Sequence, residues 1–329
     1  MLEFLFFRSF DKLEINDPDY NRGYTVYYKK SPQQTNKKPV LIIYSYISRA
    51  YGLNLDEKTS IVTRLLDEGV DVYILDWGND SFFSCQTDWS TKNYIDKIDI
   101  VVQKIKSIHS VDSINAFSIC AGTILTLLYL YNHPNNIEKI FFNDLILFFQ
   151  RDGESKTSLI WLSYLKKMFP YLKLFPEFNM HLVTLYFIMN STTNSMIAYN
   201  NNMIVEESGW MEFYKMLVWA IDQRYVPTKF WFEILDFVEA IISEGEEKQT
   251  EYFKTTFDLN PNLKIYNLVA QNDYIVKPSA STLIYGDDKI ISNVIYDQEI
   301  VESGHFMYAR KCSDYTEKFK TKAIKWLSE

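Results

Sequence analysis

Cysteine is scarce: Cys85, Cys120 and Cys312 are the only three in 329 residues. They are far apart and odd in number. No C-x-x-C or histidine-rich pair accompanies them, which excludes the usual zinc spacings and leaves free thiols of a cytoplasmic protein as the simplest account. Histidine is nearly as rare, with His109, His133, His181 and His305. An excess of basic residues is also missing: 34 Lys and Arg stand against 42 Asp and Glu, a net charge of -8. That balance excludes a general nucleic-acid surface, and the run "KKSPQQTNKK" reads as a solvated loop. No G-x-G-x-x-G and no P-loop occurs, so no nucleotide cofactor is expected. The apolar run "HLVTLYFIMN" is too short to span a bilayer. The opening "MLEFLFFRSFDKLE" has acidic breaks and no small-residue cleavage site, so it does not read as a signal peptide. No internal repeat or low-complexity tract is visible.

What is present is apolar residue in quantity, 47% of the chain. That suffices for one large α/β domain with an insertion, or for two modest domains. Tyr24 to Lys29 reads as a short strand. "PVLIIYSY" is a continuous apolar run, as expected of a strand covered on both faces. "DEKTSIVTRLLDEG" has helical spacing and stops at Gly69. "VDVYILDW", "SINAFSI" and "IEKIFFND" repeat the strand pattern. Helical patterns follow the first two, over Thr91 to Ser107 and "AGTILTLLYLYNHP". This alternation predicts crossover connections and a mainly parallel, doubly wound α/β sheet.

From Arg151 to about Glu251 the alternation gives way to a helical pattern rich in aromatics and Met. Strand patterns return in "LKIYNLVA" and "SNVIYDQEIV", before a closing amphipathic helix in "DYTEKFKTKAIKWLSE". The expected organisation is an α/β core over residues 1–150 and 252–329, interrupted by a helical cap over 151–251. The aromatic insertion is either an extension of the core or a lid over an apolar substrate.

Cys120 falls where the strand "SINAFSI" meets the following helix. In an α/β-hydrolase sheet that junction is the nucleophile elbow, a strained turn that lifts a side chain to a helix N-terminus. The N–H groups there stabilise a thiolate. Small neighbours are needed two residues to either side, and here they are Ser118 and Gly122. A nucleophile also needs a base. His109 and His133 flank the elbow unit at loop-like positions and read as surface residues, while His181 lies in the insertion. His305, in "ESGHFMY", directly follows the last strand pattern, and Asp273, in "LVAQNDYIVKP", follows the one before it. Each alone reads as a turn residue or an ordinary loop histidine. Together, the order Cys120, Asp273, His305 is that of the α/β-hydrolase triad.

Four segments carry a family likeness: "PVLIIYSYISRAYGLNLD", "LLDEGVDVYILDWGND", "INAFSICAGTILTLLYL", and "LVAQNDYIVKPSAS" with "VESGHFMY". In them the chain resembles the polyhydroxyalkanoate synthases, particularly the catalytic subunits of the two-component enzymes. The resemblance implies a Cys-His-Asp acyltransferase that moves hydroxyacyl groups from coenzyme A thioesters onto a growing polyester. It implies Cys120 as the acyl-bearing nucleophile, His305 as its base and Asp273 as the residue assisting that histidine or the incoming hydroxyl. The oxyanion would be held by the backbone N–H of Ala121 and by a second from the loop at Ile47 or Ser48. The acyl thioester is then substrate, and no cofactor or metal is called for. A small helical partner subunit, or a homodimer through the cap, would fit such an enzyme, as would a place in the cytoplasm or at the surface of a polyester granule.

The chain departs from the family's usual G-x-C-x-G-G, having Ser118 at the first Gly and Thr123 at the last, and Ser48 stands where Asn is usual. Of the insertion, only "MLVWAIDQRYVPTKFW" matches the family's Trp, Asp and Pro pattern. Other readings therefore remain: acyl transfer to a small hydroxyl or amine acceptor from a coenzyme A or carrier-protein thioester, hydrolysis of the acyl-enzyme, or a non-catalytic partner subunit built on the same scaffold.

Overall fold

The computed structural model describes residues 7, 9–33, 35–55, 60–77, 88–146, 167, 177–179, 215, 218–219, 222, 225–273, 276–282, 284–285, 288–289, 294–302, 322 and 324–329. Eight strands form one sheet: β1 (Asp11–Lys12), β2 (Thr25–Lys29), β3 (Val40–Ile43), β4 (Val72–Asp76), β5 (Ile114–Ile119), β6 (Ile137–Asn143), β9 (Lys264–Ala270) and β12 (Ile295–Val301). Their order is β1-β2-β4-β3-β5-β6-β9-β12. The six strands from β4 to β12 run parallel, while β1 and β2 join antiparallel at one edge. This is the doubly wound sheet that the alternating pattern predicts.

The strands read as unbroken apolar runs because both faces are covered. On one face, Leu41, Ile43, Leu75, Ala116 and Phe142 join a core with helices α2 (Thr91–His109), α3 (Gly122–Asn132), α4 (Thr228–Glu244) and α5 (Glu246–Asp258). On the other, Val40, Ile42, Ile74, Phe117 and Phe141 pack with α1 (Ile61–Asp67) and the closing helix (Ile324–Ser328). Successive residues of one strand thus serve opposite cores, as the period of two requires.

Local signals set several boundaries. Ser60 caps α1, its hydroxyl accepting the Thr63 N–H at 3.1 Å. Gly69 ends that helix at φ +83°, in the left-handed region where glycine is unstrained. Of the insertion, α4 packs on the sheet's helical layer with its Phe230, Ile234 and Leu235 buried. A short antiparallel ribbon, β7 (Glu177–Asn179) with β8 (Tyr225–Pro227), lies among the expected helices, and a second, β10 (Ile284–Tyr285) with β11 (Asp288–Lys289), precedes β12. Three residues are too few to show a strand period.

Candidate active site

All the parallel strands end at one edge of the sheet, and β5, β6, β9 and β12 are neighbours there. Cys120 follows β5 directly, Asp273 comes three residues after β9, and His305 four residues after β12. β12 is in register with β9, Val301 opposite Ala270, and the Gln271 N–H closes the pair on the Val301 carbonyl at 2.8 Å. Asp273 is buried, and its Oδ1 accepts the Val276 N–H at 2.9 Å, so its own turn orients the carboxylate. His305 lies outside the described residues, as do Cys85, His181 and Cys312.

Cys120 has φ +50°, a left-handed conformation on a residue with a side chain. Such a conformation is strained and persists only where the surroundings impose it. They do so here through three hydrogen bonds and through the close packing of Gly122. The Cys120 N–H continues the ladder to β6, reaching the Asn143 carbonyl at 3.1 Å. Its own carbonyl accepts the Thr123 N–H at 2.9 Å and the Thr123 hydroxyl at 2.6 Å. Gly122 sits where a Cβ would stand 2.5 Å from the Ile43 carbonyl oxygen and 2.8 Å from that of Tyr44. The helix therefore approaches β3 closely only because this residue has no side chain.

The two unusual elbow residues are accommodated. Ser118 is fully buried, and its hydroxyl is hydrogen-bonded at 2.9 Å to that of Thr126, which also reaches the Gly122 carbonyl at 3.0 Å. Thr123 donates to Cys120 and accepts the Ile146 N–H at 3.3 Å, tying the elbow to the loop after β6. These hydroxyls are spent on the turn and on helix packing. Ala121 caps α3 with helical φ and ψ and no capping side chain, which leaves the first-turn N–H groups to other acceptors.

The loop after β3 carries Ile47 and Ser48. The Ile47 N–H reaches the Ser45 hydroxyl at 3.2 Å, and Ser48 is buried. Tyr46, in the same loop, has no signal in the sequence to single it out. Its ring packs edge-on to Phe230 of α4, centroids 4.8 Å apart, and near Trp231. Burial pushes its phenol far up, and Cys120 adds to the shift.

His109 and His133 are half-buried at the surface, each beside a tyrosine. His109 Nε2 lies 2.8 Å from the Tyr73 hydroxyl, and burial pushes its pKa down. His133 stacks on Tyr129 with Nδ1 3.5 Å from Asp99. Both close helices near the edge where the strands begin, away from Cys120.

No protein-family model matches the chain. Among curated proteins, it is similar to a poly(3-hydroxyalkanoate) polymerase subunit PhaC of Thiocystis violacea, 33% identical over 135 residues, which are 40% of this chain and 34% of that protein. The PhaC subunit of Haloferax mediterranei is 30% identical over 121 residues, 36% of this chain and 24% of its own. The chain thus spans about a third or less of the length of these relatives. Among solved structures, a monoacylglycerol lipase of Paleococcus ferrophilus superposes with TM-score 0.53 at 12% identity, covering 92% of this chain and 98% of its own. The thioesterase domain from the curacin biosynthetic pathway gives 0.52 at 12% identity over 97% and 98%. An alpha/beta fold family hydrolase from Bacillus anthracis gives 0.50 at 12% over 97% and 99%. At these identities the structural likeness is one of fold. The chain has the α/β-hydrolase fold, and in sequence it is PhaC-like and divergent.

Proposed function

We propose that the protein is a cysteine acyltransferase of the polyester-synthase type, with Cys120 as the residue that carries the acyl group. The strained left-handed Cys120 at the strand-to-helix turn carries this reading, because the strain costs stability and exposes a thiol at a helix N-terminus. His305 takes the thiol proton and Asp273 holds the imidazole or assists the incoming hydroxyl. The thiolate attacks the carbonyl of a hydroxyacyl thioester, the C–S bond to the carrier breaks, and the carrier thiol leaves with a proton. The acceptor hydroxyl then attacks the acyl-Cys120 thioester, giving its proton to His305 as the Cys120 sulfur departs. The oxyanion of each step is held by the Ala121 N–H and by one from Ile47 or Ser48. The cap over residues 151–251, whose Phe230 and Trp231 stand against Tyr46, selects the acyl chain.

Intact-mass analysis after incubation with 3-hydroxybutyryl-coenzyme A, and separately with longer donors, tests this. An added acyl mass on the wild type and none on Cys120→Ala is expected. Asp273→Asn should slow turnover more than the first acylation, since attack by a poorly acidic hydroxyl demands more of the base. Acyl uptake by Cys120→Ala, or none by the wild type with any donor, overturns the reading. The product left after turnover then tells polyester from a small ester or a free acid.

A further inference from the structure

Neither the elbow nor its acid accounts for a cluster of polar residues around the loop leaving β3, which turns through a short 3-10 helix at Ala50–Asn54. The loop is gripped from two directions. From the end of β4, the buried Asp76 accepts the Ala50 N–H at 3.3 Å, and the indole N–H of Trp77 donates to the Tyr44 carbonyl at 3.2 Å. From the insertion, the indole N–H of Trp219 donates to the Arg49 carbonyl at 2.9 Å. Asp222 accepts the Tyr51 hydroxyl at 2.9 Å and lies 3.5 Å from the Arg49 guanidinium. Gly52 permits this approach, since a Cβ there would stand 2.5 Å from Trp219 Nε1. Arg49, Tyr51 and Trp219 are all buried.

Burying an arginine is costly unless its partner is well placed, and a loop that merely joined a strand to a helix would gain more from an apolar residue. The same loop carries Ile47 and Ser48 immediately before Arg49. The geometry points to Asp222 as a positioning residue. Through Arg49 and Tyr51 it fixes where the backbone N–H of Ser48 stands, the Ile47 N–H being already given to the Ser45 hydroxyl, so that the second oxyanion donor is in place only while Asp222 holds the loop. This rests on the acyl-transfer reading of Cys120, because an oxyanion donor matters only if a tetrahedral intermediate forms. Donors act within a narrow distance of that oxygen, and a shift of about 1 Å costs on the order of 100-fold in rate.

The test compares two reactions of Cys120 in Asp222→Asn and, as a variant less exposed to misfolding, Tyr51→Phe. Acylation by 3-hydroxybutyryl-coenzyme A passes through an oxyanion, whereas alkylation by iodoacetamide does not. Acylation at saturating donor should fall about 10- to 100-fold, with alkylation held within about two-fold across its pH profile. Amide hydrogen exchange should quicken over residues 45–53 and stay unchanged in α3. An equal loss of acylation and alkylation overturns the proposal, as does normal acylation by a variant whose loop exchanges faster. A wild type that takes up no acyl group removes the acyl-transfer reading itself, and the positioning role with it.

Discussion

The two edges of the sheet use polar residues in opposite ways. Where the strands begin, charges close on one another near solvent. Lys38 pairs with Glu138 and Ser113, Lys264 reaches the same Glu138 carboxylate at 3.3 Å, and Lys106 donates to Asn136 at 2.6 Å. Where they end, polar groups are buried and engaged with backbone or with each other. Cys120 and Asp144 have φ of +50° and +57°, Asp76 grips the β3 loop, and Asn143 donates to the Asp144 carboxylate at 2.7 Å. Backbone strain and buried polar groups cost folding free energy. Positive φ is found at both edges, since Ser110 and Asn135 adopt it just before β5 and β6. The edges therefore differ in what their strained turns carry: a thiol and a carboxylate where the strands end, and uncharged polar groups beside partly exposed charge pairs where they begin.

Gly122→Ala should break the contrast most sharply. Its Cβ would press on two backbone carbonyls that cannot swing away, so a loss of about 1–3 kcal/mol is expected in chemical denaturation. Alkylation of Cys120 in the folded protein should slow as the elbow shifts. A neutral Gly122→Ala would mean that α3 does not depend on close approach to β3.

Thr123→Val probes the same turn more gently. It removes the bond to the Cys120 carbonyl and strands the Ile146 N–H, which together are worth about 1–2 kcal/mol. The rate of Cys120 alkylation should change with it, and Thr123→Ser should restore both stability and rate. At the opposite edge, Glu138→Gln should cost no more than about 1 kcal/mol, because partly exposed ion pairs contribute little. Acylation should not respond. A large catalytic effect of Glu138→Gln would erase the distinction between the edges.

The smallest expected effect is one of pH. Burial depresses the pKa of His109, partly offset by Asp71, so the folded state favours the neutral ring. The unfolded chain then binds more protons as pH falls below the ordinary histidine value of about 6.5, and the stability held above it is lost on that side. Denaturation midpoints between about pH 5 and 8 should therefore slope less in His109→Gln than in the wild type.

Much of the frame was legible. The apolar runs at 40–43, 72–76 and 114–119 became buried parallel strands, and Gly69 stopped a helix, because burial on two faces and positive φ leave direct marks on composition. The S-x-C-x-G junction was legible as a turn. Its departures were not, since sequence counts only the added volume of Ser118 and Thr123. The structure pairs Ser118 with Thr126, eight residues on, and Thr123 with the exit of β6. His109 and His133 read as surface residues because a helix end is usually exposed, and they are half-buried there, but their contacts to Tyr73 and Tyr129 left no mark in the sequence. Tyr46 stood out in no pattern at all.

The sequence by itself determined the alternation of strands and helices, the order of Cys120, Asp273 and His305, and the strand ends that each follows. These are properties of local periodicity and of chain order, which residues declare one segment at a time. Only the tertiary structure decided that Gly122 lies against the carbonyls of β3, that Tyr46 packs edge-on to Phe230, and that Asp222 reaches across 171 positions to Tyr51. Such contacts join segments with no shared pattern. They exist because closing the sheet and burying its two faces leaves those side chains nowhere else to go.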